Sequence, residues 1–82
     1  MQVTIKYFAS IREAIGQASE QRETTATTLA GLRDELLASG QTYACLSRGR
    51  AVRMALGQVM SDESALLSSG CEVAFFPPVT GG

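Results

Sequence analysis

Apolar and polar residues alternate from the start of the chain: Val3, Ile5 and Tyr7 fall on one side of residues 2–8, and Gln2, Thr4, Lys6 and Phe8 on the other. A period of two turns one face of a strand to a core and the other outward, so this segment is predicted as a half-buried strand. Ser10 and Glu13 have capping-box spacing, which predicts a short helix opened by Ser10 and stopped by Gly16 after little more than a turn. Residues 17–25 are rich in Gln, Glu and Thr and carry only a weak strand signal. The clearest helix begins at Thr27 or Thr28, where Leu29, Leu32, Leu36 and Leu37 make one stripe, with Arg33, Asp34 and Glu35 toward the solvated side. Gly31 costs it up to about 1 kcal/mol relative to Ala, and Gly40 ends it.

Residues 41–50 read as irregular, closing with a turn at Ser47-Arg48-Gly49-Arg50. Val52, Met54 and Leu56 then alternate with Arg53, Ala55 and Gly57, which predicts a strand, and Gln58-Val59-Met60 continues it as a short hairpin arm. A polar connection surrounds Leu66-Leu67, and residues 71–76 form the last strand. Pro77-Pro78 ends it because proline cannot donate to a ladder. One helix packed across a mixed sheet of four or five strands buries every apolar stripe at once. The expected fold is therefore α+β, a β-grasp in the ubiquitin-like layout, over residues 1–76, followed by an extended tail over residues 77–82.

Composition narrows the function. An 82-residue chain, 45% hydrophobic and 18% charged, is one small globular domain. Seven Lys+Arg against eight Asp+Glu give a net charge of −1 with no basic run, which argues against nucleic-acid binding. The absence of His removes the usual general base, and with only Cys45 and Cys71 a Cys/His zinc site is not expected. Both cysteines read as small apolar residues in a reducing compartment. Neither a targeting segment nor an apolar run near the roughly 20 residues of a membrane span is visible, so the expectation is a cytoplasmic protein with no membrane contact.

Candidate chemistry gathers at Pro77-Pro78-Val79-Thr80-Gly81-Gly82. At a glycine frequency of about 7%, a final Gly-Gly pair arises by chance in roughly 0.5% of chains, so the context must carry the argument. Two prolines stiffen the exit from the sheet, and six residues reach at most about 20 Å. Residues without a Cβ let a carboxylate enter a slot too narrow for side chains. Such a tail suits delivery of the Gly82 carboxyl group to another protein's active site. A carboxylate is a poor electrophile, so it needs activation by a nucleotide-using partner before a sulfur donor can convert it to a thiocarboxylate. With no His, no nucleotide-binding loop and no expected cofactor or metal of its own, this chain is read as a co-substrate subunit rather than the catalyst.

The segment Glu72-Val73-Ala74-Phe75-Phe76-Pro77-Pro78-Val79-Thr80-Gly81-Gly82 resembles the signature of the small, sulfur-carrying subunit family of molybdopterin synthase, the MoaD family. Ile5-Lys6-Tyr7-Phe8-Ala9 followed by Ile11-Arg12-Glu13 is similar to that family's opening, and length and element order agree over the whole chain. Cys71 and Gly57 depart from its pattern, the latter leaving the hairpin turn open. The resemblance implies that Gly82 is adenylated by an E1-like, MoeB-like adenylyltransferase using ATP and then thiocarboxylated. It further implies that Gly81 threads the channel of a MoaE-like large subunit, that sulfur passes to cyclic pyranopterin monophosphate in molybdenum cofactor biosynthesis, and that two large and two small subunits form a heterotetramer.

Strand parity supplies a partner surface separately. Phe8 and Phe76 both fall opposite the core set Val3, Ile5, Val73 and Phe75. In a β-grasp the first and last strands are neighbours, so the two rings are expected as one exposed patch beside the tail, and such patches mark interfaces. Arg12 is placed to pair with a partner's acid, against the alternative of a solvated surface Arg. Arg48, Arg50 and Arg53 make a small positive cluster whose simplest reading is a solvated face. Two other functions stay open: a sulfur carrier for thiamine synthesis or tRNA thiolation, and a β-grasp binding module that carries no sulfur.

Overall fold

The structure is a computed structural model describing residues 1–78. The chain runs β1 (Gln2–Tyr7), α1 (Ala9–Ile15), β2 (Ser19–Glu23), α2 (Leu29–Ala38), a 3-10 helix (Gln41–Leu46), β3 (Arg53–Leu56), β4 (Val59–Ser61) and β5 (Glu72–Phe76). The five strands form one sheet in the order β2-β1-β5-β3-β4, with β1 and β5 parallel at the centre and the other pairs antiparallel. This is the expected β-grasp.

The core lies on one face of that sheet. Val3, Ile5 and Tyr7 from β1, Val73 and Phe75 from β5 and Met54 from β3 meet Leu29, Leu32 and Leu36 of α2, all three fully buried. Each large aliphatic or aromatic side chain so removed from water contributes about 1.5–3 kcal/mol. Tyr7 stacks on Phe75 with ring centres 6.2 Å apart. The helix starts where Thr28 accepts a hydrogen bond from the Gly31 N–H at 3.1 Å, which selects Thr28 as the cap.

Three local expectations need correction. Ser10 does not cap α1: Phe8 holds that position without a side-chain bond, and Ser10 lies within the first turn. Here β1 itself supplies the start. The Phe8 N–H is taken by the Phe75 carbonyl, while the Phe8 carbonyl accepts from Ile11 and Arg12. Residues 41–46 are an ordered 3-10 helix rather than irregular chain. Arg33 is buried, not solvated, with 5% exposure. Its Nε donates to the Leu46 carbonyl at 2.5 Å, at the end of the 3-10 helix, and its Nη2 to the Ser47 carbonyl at 3.1 Å, which also accepts from the Arg50 N–H. Burial lowers the Arg33 pKa from its ordinary value.

Candidate functional site

Among the described residues no helix lies over the other face of the sheet, and the members of that face follow from the register. Thr4 and Lys6 of β1 lie beside Glu72 and Ala74 of β5; Ala74 pairs with Ala55 of β3, and Ala55 with Met60 of β4. Phe76 pairs with Arg53. Lys6 meets Glu72 across the parallel pair at 3.5 Å. The Ala74-Ala55 row, built from small side chains, runs across the sheet from Lys6 to Met60, and Phe8 and Phe76 lie two residues beyond Lys6 and Ala74. Met60, in the expected hairpin arm, is 58% exposed because its pairing with Ala55 assigns it to this open face.

Phe8 and Phe76 are brought to the same end of the sheet. Tyr7 pairs with Phe75, so the next residue on each strand falls side by side on the open face. Phe8 is 46% exposed and Phe76 is half-buried. Exposure at Phe8 costs the fold part of a large ring's burial, which makes sense for a surface that becomes covered later. Arg12 stands exposed on α1, one turn beyond Phe8.

The tail leaves from this same corner. Pro77 and Pro78 are half-buried and lie beyond the end of β5. Pro77 sits against a shallow pocket of about 310 Å³ walled by Ser10, Ile11, Ala14, Cys45, Arg50 and Val52. A ring with a fixed φ, seated against α1 and the residues before β3, orients whatever follows it. Val79, Thr80, Gly81 and Gly82, the expected tail and sulfur-bearing residue, lie outside the described residues.

Both cysteines are free and half-buried, packed against the core. Burial pushes the Cys45 thiol above its ordinary pKa, against smaller opposing effects from a backbone hydrogen bond and Arg50, so it stays protonated and poorly nucleophilic at neutral pH. A larger cleft of about 640 Å³ opens between α2, β3 and residues 60–64. Its acids are already engaged: Glu63 by Arg48 and Arg33, and Asp62 by the N–H and hydroxyl of Ser64. Among the described residues, no group of three or more His, Cys, Asp and Glu side chains is placed to hold a metal ion, and no helix is long and apolar enough to cross a membrane.

Strand parity found Phe8 and Phe76, but it missed Arg53, Ala55 and Met60 as members of the open face. Their own alternation was visible. Which parity faced the core depended on the pairing of β3 with β5, and only the register supplies that.

The sequence profile of the ThiS family matches residues 5–82. The chain is 35% identical to the molybdopterin synthase sulfur carrier subunit of Haemophilus influenzae over 81 residues, covering 98% of this chain and 99% of that protein. It is 31% identical to the subunit of the same name from Escherichia coli over 80 residues, covering 98% and 99%. In fold it resembles small archaeal modifier protein 1 of Haloferax volcanii, with a TM-score of 0.79 at 20% identity over the full length of both chains. It also resembles a chain in the complex of subunits 1 and 2 of molybdopterin-converting factor from Helicobacter pylori, with a TM-score of 0.71 at 24% identity over both full lengths. An open aromatic corner, a proline-anchored exit and near-complete matches to two named carriers agree, and the chain belongs to the ThiS family, among the molybdopterin synthase sulfur carrier subunits.

Proposed function

We propose that this chain carries sulfur as a thiocarboxylate on Gly82 and donates it to cyclic pyranopterin monophosphate within a molybdopterin synthase. The observation that carries the reading is the near-complete match to named sulfur carriers in a chain whose last strand passes, through Pro77, into Pro78-Val79-Thr80-Gly81-Gly82. In the first step the Gly82 carboxylate attacks the α-phosphorus of ATP on an E1-like, MoeB-like partner, and pyrophosphate leaves. A sulfur nucleophile then attacks the acyl carbon of the resulting anhydride and AMP departs, leaving the thiocarboxylate. The glycines let the acyl group pass a narrow channel, and the large subunit supplies the catalytic residues. Phe8, Phe76 and Arg12 form the contact with that large subunit, a role that rests on their exposure at the corner where the tail leaves. The setting is the cytoplasm, where reduced sulfur and free thiols persist.

Incubation of the full chain with ATP, a MoeB-type adenylyltransferase and a sulfide source tests this by intact-protein mass spectrometry. The expected result is a mass gain equal to exchange of one oxygen for one sulfur, confined to the C-terminal peptide and lost when Gly82 is deleted. An unchanged mass with a partner proven active on a genuine carrier would count against this pathway.

A further inference from the structure

Two separate segments wall the pocket that Pro77 sits against: α1, through Ile11 and Ala14, and the stretch before β3, through Cys45 and Val52. Neither wall is loose. The first is tied to the end of the sheet, where the Phe8 N–H donates to the Phe75 carbonyl at 3.2 Å, and its Ile11 is buried in the core. The second is held from α2, because the buried Arg33 side chain donates to the carbonyls of Leu46 and Ser47. The Arg50 N–H donates to the Ser47 carbonyl as well, at 3.0 Å. Phe76 and Pro77 each precede a proline, which biases both to extended backbone, and the ring fixes φ at Pro77. The folded domain therefore sets both the place and the heading of the chain at Pro77.

We propose that Pro77 is a positioning residue for both transfers at Gly82: its seat between α1 and residues 45–52 aims the tail, so that a docked domain presents the terminal carboxyl group to a partner's slot from one direction. The proposal rests on the carrier reading above. Gly82 lies five residues after Pro77, so its carboxyl group is at most about 17 Å from the anchor. A tail pivoting freely at its root would spread that group over every direction open to solvent. Threading would then have to remove the freedom, and fixing the backbone of one residue costs about a 5- to 30-fold factor in an equilibrium. The seat removes it beforehand, at the root only. The final glycines meet the separate requirement for a narrow tip.

The test compares wild type with Pro77→Gly, Pro78→Gly and Pro77→Val in the full chain. Intact-protein mass spectrometry follows two reactions: thiocarboxylation by a MoeB-type adenylyltransferase with ATP and sulfide, and, on fully loaded protein, sulfur loss to cyclic pyranopterin monophosphate on a MoaE-type large subunit. Melting curves confirm that each variant is folded at the assay temperature. Pro77→Gly is expected to lower kcat/KM by about 5- to 30-fold in both reactions. Pro78→Gly frees as many backbone angles but keeps the seated ring, so its loss should be smaller. Pro77→Val keeps an apolar group in the seat and extended backbone before Pro78, and should recover most of the lost rate. Equal losses for the two glycine variants would show that stiffness alone acts and overturn the proposal. So would Pro77→Val as slow as Pro77→Gly, Pro77→Gly as fast as wild type, or a loss with one partner only, which marks a direct contact in that complex. Each of those results leaves the carrier reading intact. If wild type acquires no sulfur, that reading fails and the proposal fails with it.

Discussion

Gln58 holds φ at +68° and Gly57 at +58°, so the two-residue connection between Leu56 and Val59 takes left-handed backbone at both central positions. That is the type I′ geometry whose twist matches a hairpin, and glycine or asparagine adopts it readily whereas a glutamine is strained there. The turn that Gly57 left open in the sequence is thereby settled, with the strain placed one residue later. Gln58→Gly is expected to stabilise the fold by about 0.5–1 kcal/mol, the left-handed penalty less the added freedom of the unfolded chain. Thermal denaturation should show Tm higher by a few degrees, and an unchanged or lower Tm would contradict the strain. Ala9, the first residue of α1, also holds a positive φ, +51°. Neither conformation is legible in residue type, since each is imposed by the elements the chain must join.

Between elements, the junction of β2 with α2 is held by a polar cluster rather than by apolar packing. Arg22 Nε donates to Glu35 at 2.7 Å, and the Thr24 hydroxyl donates to the other Glu35 oxygen at 2.7 Å. Glu20 accepts from both Tyr7 and Tyr43 at 2.7 Å. Burial works to raise the Glu35 pKa, but the hydrogen bonds from Thr24 and Arg22 and the charge of Arg22 outweigh it, so the carboxyl lies below its ordinary 4.5. A depressed carboxyl contributes stability that is complete above the unfolded value and is lost as pH falls through the folded one. Wild type is therefore expected to lose stability below about pH 4.5, and Glu35→Gln to flatten that acid limb while lowering stability at neutral pH. Urea denaturation at a series of pH values reads this out, and parallel acid limbs for the two proteins would refute it. The weak strand signal of residues 17–25 has the same origin. Ser19–Glu23 is a polar edge strand whose inward-facing Glu20 and Arg22 bond to neighbours instead of entering an apolar core.

At the scale of the whole molecule, the single-sided sheet is what makes a carrier of this fold: one face holds the domain together and the other is left for a partner, with the tail at its corner. Phe8 belongs to the second face only, so Phe8→Ser is expected to leave Tm nearly unchanged and to weaken binding to a MoaE-type large subunit about 10-fold or more, near 1.4 kcal/mol. Calorimetric titration beside a melting curve distinguishes this from a folding defect, and undiminished affinity would remove Phe8 from the interface. The strand and helix order, the leucine stripe and the glycine tail could all be read in the chain because each is a local periodicity or a backbone requirement carried by residue type. The burial of Arg33, the exposure of Met60 and the gathering of Arg50 and Arg53 with Phe76 and Pro77 could not. Those depend on which strands are neighbours and in what register, and long-range pairing leaves no period in the sequence of either strand.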